Sequence, residues 1–286
     1  MGNRKENSAE RPMQKKPQKA YENLDFLRSR DARVIRILAE YLEPQRRLRR
    51  HRVRDTIVFF GSARALPMEK AREEYENLLA ENGGNNQDPE VRHAYYQMKL
   101  AQYYEDAREL ARRLTKWNQE LKDGHRFLIC SGGGPGIMEA ANRGALEAEG
   151  KSVGFNISLP HEQYPNPFIT SELSFEFHYF FMRKFWFLYL AKALIVFPGG
   201  FGTLDELFEV LTLVQTKKLE KEITVLIYGK EYWDDILHFK NFLKWGTISE
   251  EELALVHFAN TVDEAFQIVT EDLKRKFLDQ RKFWYL

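Results

Sequence analysis

A glycine-rich turn and a carboxylate lie close together near residue 200. The segment Pro198-Gly199-Gly200-Phe201-Gly202-Thr203 is followed by Leu204-Asp205-Glu206. Glycine turns that open helices expose backbone N–H groups at the positive end of the helix dipole, and such groups bind phosphate. Thr203 and Glu206 also have the spacing of a capping box, an interpretation that needs no function. Because Glu206 lies one turn into this helix, we also expect its carboxylate to face a phosphate bound there.

Two adjacent cations interrupt the most aromatic stretch of the chain. Arg183 and Lys184 lie between residues 179–182 and 185–188, a helical segment that is apolar nearly all round and is expected to be mostly buried. A buried cation needs an anion, because an unpaired buried charge is costly. Neighbours on a helix point about 100° apart, so both are not expected to reach solvent in the same direction. We therefore predict that at least one contacts Glu206 or a bound phosphate.

Two further glycine turns follow apolar runs that are typical of strands. They are Gly61-Ser62 and Ser131-Gly132-Gly133-Gly134-Pro135-Gly136. In parallel sheets the carboxyl ends of the strands share one edge, where ligands bind. The loops at 132–136 and 199–202 do not fit the dinucleotide fingerprint G-x-G-x-x-G, and no G-x-x-x-x-G-K-[ST] sequence occurs. Either loop alone is equally compatible with a simple tight turn, but together the turns favour a mononucleotide phosphate.

The order of the predicted elements indicates the fold class. Strands alternate with helices, which predicts an α/β, doubly wound, mainly parallel sheet (Rossmann-like) with helices on both faces and an N-terminal helical extension. We predict a single such domain over residues 55–286, with a helical insertion at 67–123 broken near 82–86. The predicted strands cover 56–60, 127–130, 152–157, 173–177, 193–197 and 223–228. The other predicted helices cover 137–149, 179–191, 204–216, 234–242 and 262–277.

The N-terminal extension, residues 1–54, is strongly basic. It carries 16 Lys or Arg against 7 Asp or Glu, whereas the whole chain has a net charge of +1. A basic arm could bind nucleic acid or an acidic lipid surface. Apolar residues near helical spacing over 24–42 favour docking on the acidic body or on a second subunit instead. Residues 1–20 lack this pattern and are predicted to be disordered.

Other features bound the cellular setting and exclude some kinds of site. A single cysteine, Cys130, excludes an intramolecular disulfide and a multi-cysteine zinc site. Its apolar neighbours favour a small buried hydrophobe over a nucleophile. Charged residues within the aromatic stretch at 177–197 favour a buried helix and strand over a membrane span. No secretory signal pattern is evident, which is typical of a cytoplasmic protein.

The motifs around Arg183 and Glu206 resemble those of the Lonely Guy family. Phe181-Met182-Arg183-Lys184 is similar to its paired R-K motif, and Pro198 through Glu206 is similar to its P-G-G-x-G-T-x-x-E motif. The two earlier glycine turns also look like family elements, and the similarity spans about residues 55–260. These proteins are cytokinin riboside 5′-monophosphate phosphoribohydrolases and are often mislabelled lysine decarboxylases. The extension and the 67–123 insertion indicate a long bacterial-type variant. Ala191-Lys192, where short plant-type members usually have Ser-Asp, leaves the base preference open.

The resemblance implies an activity and a set of site residues. It implies hydrolysis of the N-glycosidic bond of AMP or an N6-modified adenosine 5′-monophosphate to free base and ribose 5-phosphate, as in an AMP nucleosidase. It implies no metal or cofactor and a homodimer or higher homo-oligomer. Arg183 and Glu206 would be catalytic. The expected substrate and phosphate contacts are Gly61, Ser62, Gly133, Gly134, Lys184, Gly199, Gly200, Gly202 and Thr203. Met182 and Glu162 are candidate contacts to the base or ribose.

The residue types suit this reaction, although other functions remain as alternatives. Glu206 would stabilise positive charge on the ribose or activate water, as carboxylates do in glycoside hydrolysis. Arg183 would keep Glu206 ionised or hydrogen-bond the nucleotide. One alternative is a non-catalytic carrier of a nucleotide or molybdenum cofactor, which would not need both residues. A second alternative is association with nucleic acid; only the basic N-terminal extension supports it, and we disfavour it. A third alternative is a pyridoxal phosphate enzyme, but no lysine of the sequence stands out as the attachment site for that cofactor.

Overall fold

A seven-stranded sheet forms the centre of the protein. The computed structural model describes residues 16–122, 126–160 and 164–279. The strand order is β4-β3-β2-β1-β5-β6-β7, and every strand pairing in the described ranges is parallel. The strands are β1 (Asp55–Phe60), β2 (Phe127–Ser131), β3 (Ser152–Ile157), β4 (Ser174–Phe177), β5 (Ala191–Val196), β6 (Thr224–Tyr228) and β7 (Val256–Ala259).

Helices cover both faces of the sheet, because the central strands are apolar on both sides. One core contains side chains of α6 and α7, and the other contains side chains of α4, α5 and α11. The helices are α1 (Leu24–Arg28), α2 (Arg33–Arg50), α3 (Met68–Glu81), α4 (Pro89–Glu120), α5 (Ile137–Glu147), α6 (Phe180–Leu190), α7 (Phe201–Gln215), α8 (Lys230–Ile236), α9 (Phe239–Lys244), α10 (Glu250–Leu253) and α11 (Val262–Leu273).

This arrangement confirms the predicted α/β class with its mainly parallel sheet. β1 lies in the middle of the sheet, between β2 and β5. The chain therefore moves outward in one direction through β2, β3 and β4, and in the other through β5, β6 and β7. A crevice opens beyond the carboxyl ends of the strands where the order reverses, and ligands bind in such crevices. The turns after β1 and β5 lie at this switch point.

The structure differs from several sequence expectations. Strand β7 was not expected, because His257 interrupts a short apolar run that is only half-buried at the sheet edge. The single helix predicted over 234–242 is two short helices, α8 and α9. The predicted final helix is regular only to Leu273 and continues as a π-helical turn, Lys274–Leu278.

Helix α6 is also less buried than its composition suggested. Trp186, Phe187 and Leu188 are buried, whereas Phe181 and Tyr189 are about half exposed, at 54% and 49%. The expectation of a mostly buried helix is therefore wrong for one of its faces. No helix in the described ranges combines the length and apolarity that a membrane crossing requires. Cys130 is fully buried in β2 as expected, and burial raises the pKa of its thiol well above its usual range.

The N-terminal extension contains α1 and α2. The predicted apolar spacing over 24–42 is divided between them, and the helix break lies at residues 29–32. Helix α2 packs on the body of the protein: Leu48 is buried in the core, and Arg47 donates a hydrogen bond to the carbonyl of Ser174 at 2.9 Å. Of the residues 1–20 predicted to be disordered, 1–15 lie outside the described residues; 16–19 lie in no helix or strand, and a short 3-10 helix, Ala20–Glu22, follows.

Candidate active site

A cavity of about 580 Å³ opens at the carboxyl edge of the sheet, at the switch point between β1 and β5. Its walls come from the turns after β1, β2, β3 and β5 and from the first turns of α6 and α7. The lining residues are Phe60, Gly61, Ser62, Ala63, Arg64, Gly132, Gly134, Met138, Asn156, Ile157, Leu159, Phe180, Arg183, Phe187, Gly200, Phe201, Gly202, Thr203 and Glu206. The three glycine turns thus meet at one site.

The three turns are bound directly to one another. The Ser62 N–H donates to the carbonyl of Pro198 at 2.8 Å, and the Ile137 N–H donates to the carbonyl of Ser62 at 3.0 Å. Glycine is required at the contact points. Gly136 has a φ of +70°, and a Cβ there would lie 2.2 Å from the carbonyl oxygen of Ser62. A Cβ on Gly199 would lie 2.2 Å from Oγ1 of Thr203. These glycines have a structural role.

Gly200 and Gly202 are different, because a Cβ on either would meet no atom within 4 Å. Neither has a positive φ, since Gly200 is extended and Gly202 lies in the first turn of α7. Neither packing nor backbone conformation therefore requires glycine at these positions. Both line the cavity, beside N–H groups at the positive end of the α7 dipole. The open space fits a ligand that approaches the backbone closely.

The capping-box interpretation of Thr203 and Glu206 is wrong. Helix α7 begins at Phe201, its N-cap is Gly200, and no side chain caps it. Thr203 is therefore the third residue of the helix and Glu206 the sixth, too far along to satisfy the orphan N–H groups of the first turn. The structure gives Glu206 no role in capping the helix.

Glu206 is a buried carboxyl group at the cavity wall. It is 5% exposed and accepts no hydrogen bond from any described residue. Burial raises the pKa of Glu206 to about 7, although the charges of Lys184 and Arg183 act in the opposite direction. Asp205 and Glu209 raise it further. A carboxyl group with a pKa near neutrality that accepts no hydrogen bond from a described residue is suited to proton transfer or to contact with a developing positive charge.

Arg183 faces Glu206 from α6. Its Nη2 lies 3.8 Å from Oε1 of Glu206, an ion pair without a hydrogen bond. The guanidinium lies 5.2 Å from the ring centroid of Phe180 and 5.5 Å from that of Phe187. Its buried Nε has no acceptor among the described residues. Burial lowers the pKa of Arg183, and the charge of Glu206 opposes this. Both members of the pair therefore retain hydrogen-bonding capacity for a ligand.

The remaining expected site residues lie in different places. Lys184 points away from the cavity, because its Nζ binds Asp205 at 2.8 Å and Glu209 at 2.9 Å. Met182 is buried in the core below α6. Gly133 has a φ of +73° and packs against Asn156, so it supports the loop from behind. The structure does not bring Lys184, Met182, Gly133 or Gly199 to the cavity wall. Glu162 lies outside the described residues.

Sequence reasoning missed several residues that line the cavity. Phe180 precedes Arg183 by three positions, so helical spacing placed it on the same face. Asn156 and Ile157 are the last residues of β3, and strand ends at this edge of a parallel sheet lie near ligands. Arg64 follows the turn after β1, is exposed, and forms no ion pair with any described residue. Because ligands bind beyond the carboxyl ends of parallel strands, the positions of the predicted strand ends could have identified all of these residues except Phe180.

Comparisons with known proteins bear on part of the chain. The family model described as "Possible lysine decarboxylase" matches residues 138–269. No curated protein matches the chain.

Three solved structures are distantly similar to this chain. A structural genomics target, TM1055, is 21% identical, with a TM-score of 0.43 over 76% of this chain and 99% of that one. The molybdenum cofactor binding protein from the phototrophic bacterium Rippkaea orientalis is 16% identical, with a TM-score of 0.47 over 76% and 96%. The Moco carrier protein from Chlamydomonas reinhardtii is 18% identical, with a TM-score of 0.41 over 78% and 99%. Similarity of this degree carries no information on function.

Proposed function

We propose that the protein hydrolyses the N-glycosidic bond of a purine nucleoside 5′-monophosphate, AMP or an N6-modified derivative. The observation that carries this proposal is the buried pair of Arg183 and Glu206, which faces a cavity beside an open glycine turn. In the reaction, the C1′–N9 bond breaks and water forms a new bond to C1′. The leaving base accepts a proton, and the products are free base and ribose 5-phosphate.

The turn at the start of α7 would hold the 5′-phosphate. Gly200 and Gly202 leave room beside the backbone, and the N–H groups of the first helical turn suit an anion. Binding the phosphate at this end of the cavity would place the ribose next to Glu206, one turn further along α7. Remote binding energy of this kind lowers the barrier by holding the reacting carbon in position.

Glu206 and Arg183 would act on the reacting carbon. As the C1′–N9 bond breaks, positive charge develops on the ribose, and a carboxylate stabilises it or takes a proton from the attacking water. Arg183 favours the ionised form of Glu206, because its charge opposes the effect of burial on the pKa of that carboxyl. The Arg183 side chain lines the cavity, where its guanidinium would contact the nucleotide.

The family match also supports the proposal. It covers Glu206 and Arg183, and Lonely Guy proteins, which the motifs resemble, often carry a lysine decarboxylase label. A pyridoxal phosphate decarboxylase is less well supported, since none of the described residues that line the cavity is a lysine. Lys184, the nearest candidate, is engaged by Asp205 and Glu209.

The direct test is incubation with a panel of nucleoside 5′-monophosphates, followed by chromatography of the released base. We expect turnover of AMP or an N6-modified relative, and a much lower kcat/KM for adenosine because it lacks the phosphate. Equal kcat/KM for AMP and adenosine would remove the glycine turn from the mechanism. Stoichiometric binding of the nucleotides without release of base would favour the carrier alternative.

A matched pair of variants tests the catalytic carboxylate. Glu206→Gln keeps the shape of the side chain but cannot ionise, so turnover should fall by at least ~10²-fold while nucleotide still binds. Glu209→Gln, one turn further along α7, removes an equal charge from a residue that binds Lys184 and should retain most of the activity. Near wild-type turnover by Glu206→Gln would leave the proposed reaction without its carboxylate.

A further inference from the structure

The N-terminal extension holds the helix that carries Arg183. Glu40 of α2 accepts two hydrogen bonds from the backbone just before α6: from the His178 N–H at 2.8 Å and from the Tyr179 N–H at 3.3 Å. Tyr179 is the N-cap residue of α6, and its own side chain caps nothing. The carboxylate of Glu40 therefore lies at the positive end of the α6 dipole, where a negative charge is favourable.

A second set of contacts lies one turn beyond Arg183. The indole Nε1–H of Trp186 donates to the backbone carbonyl of Glu40 at 2.9 Å. The ring of Tyr41 lies 5.9 Å from that of Trp186 and 5.6 Å from that of Phe185. Residues 40 and 41 of the extension thus contact α6 on both sides of Arg183. These contacts attach the first two turns of α6 to α2.

The position of Arg183 depends on its helix more than on local hydrogen bonds. Its Nε has no acceptor among the described residues, and its contact with Glu206 is 3.8 Å. Two aromatic rings flank the guanidinium, and both belong to α6 itself. A shift of α6 would therefore carry the guanidinium and both rings away from Glu206 together. On α7, Arg183 itself has only the 3.8 Å contact with Glu206 among the described residues, although the adjacent Lys184 binds Asp205 and Glu209.

We propose that Glu40 is a positioning residue for Arg183, and that the N-terminal extension is consequently part of the catalytic unit. The inference rests on the proposed function in that Arg183 acts on the nucleotide. It gives the extension a role that its basic composition did not suggest. Glu40 does not line the cavity, and it acts through the backbone at the start of α6.

The test compares three variants of the full chain. Glu40→Ala removes both acceptors, Glu40→Gln keeps one acceptor oxygen, and Glu43→Ala removes an equal charge one turn further along α2. Misplacing a catalytic group costs on the order of 10–100-fold, so kcat for AMP should fall by that much in Glu40→Ala. KM should change little, because the phosphate turn belongs to α7. Glu40→Gln should recover most of the rate, and Glu43→Ala should match the wild type.

A pH profile separates positioning from a purely structural role. Arg183 lowers the pKa of Glu206, so displacement of Arg183 should move the midpoint of the rate profile to higher pH in Glu40→Ala. Hydrogen exchange of the amides at 178–183 should also become faster in this variant. Faster exchange with an unchanged kcat and an unchanged midpoint would overturn the inference. If Glu40→Ala does not fold, Glu40→Asp, whose carboxylate is one methylene further from the two N–H groups, carries the same measurements.

The inference can also be tested if the wild type hydrolyses no nucleotide, an outcome that refutes the proposed function instead. In that case the ionisation midpoint of Glu206 is obtained from protein stability. The free energy of unfolding is measured against pH for a protein with Glu206 and for its Glu206→Gln variant, and the difference between the two follows the ionisation of Glu206. Measured with and without Glu40→Ala, this midpoint should move to higher pH. An unshifted midpoint would show that Glu40 does not position Arg183.

Discussion

Replacing Glu206 by glutamine should change the pH dependence of stability, apart from any effect on turnover. Glu206 is 5% exposed, and burial raises its pKa from an ordinary 4.5 to about 7. One unit of pKa corresponds to about 1.4 kcal/mol, so the ionised carboxylate destabilises the folded state by about 3 kcal/mol relative to the unfolded chain. Glutamine has the same shape and does not titrate.

The sign follows from where the proton binds more tightly. The folded protein holds the Glu206 proton more tightly than the unfolded chain, so this group favours folding at low pH. The stability of the wild type should decline as pH rises from about 4.5 through about 7 and then level off. Glu206→Gln lacks this decline. Its free energy of unfolding should therefore gain about 3 kcal/mol on the wild type between these limits.

Urea unfolding of both proteins, without nucleotide, at several pH values from about 4.5 to about 9 measures this difference. Subtracting one curve from the other removes the titration of all groups that the two proteins share. The attraction of ionised Glu206 to Arg183 is already included in the pKa of about 7, because Arg183 remains ionised over this range. If the difference in unfolding free energy between the two proteins does not vary with pH, the conclusion that Glu206 is a buried carboxyl group with a pKa near 7 is refuted.

Three other predictions follow from the site and the surface. The kcat/KM for AMP should rise with pH with a midpoint of about 7, because Glu206 acts as a carboxylate; a rate that falls through this range would contradict that role. Gly202→Ala should leave the melting temperature unchanged or higher, while KM for AMP rises at least ~10-fold. In contrast, Gly199→Ala should destabilise the protein by about 1–3 kcal/mol, since its Cβ would lie 2.2 Å from Oγ1 of Thr203. If KM is unaffected in Gly202→Ala, phosphate does not bind beside that residue. The exposed aromatic side chains of α6, near Phe185 and Tyr189, should form part of a homo-oligomer interface, and a monomer mass by light scattering across micromolar concentrations would rule this out.

The sequence was most informative where local chemistry agrees with the fold. Glycine turns after apolar runs predicted which strand ends meet, because parallel strands must bring their carboxyl ends to one edge. Adjacent cations in an aromatic helix predicted a buried ion pair, and Arg183 faces Glu206. Both the glycine turns and the adjacent cations can be recognised from residues that lie close together in the chain.

The sequence was least informative where contacts are distant in the chain. Lys184 was expected near the phosphate, but its direction is set by Asp205 and Glu209 on α7, which no local pattern reveals. The start of α7 was placed three residues late, because Thr203 and Glu206 match a capping motif and Gly200 does not stand out as a cap. Glu40 attracted no notice, since its partners are backbone N–H groups 138 and 139 residues away.

The direct contact among the three glycine turns has a thermodynamic consequence for ligand binding. The turns after β1, β2 and β5 hold one another through the backbone hydrogen bonds of Ser62 and Ile137. The floor of the cavity is therefore already ordered before a nucleotide arrives, and binding need not spend free energy on freezing loop motions there. Calorimetry should accordingly show a small entropic penalty for AMP. It should also show a heat-capacity change set by the apolar surface that the ligand covers rather than by folding of the protein.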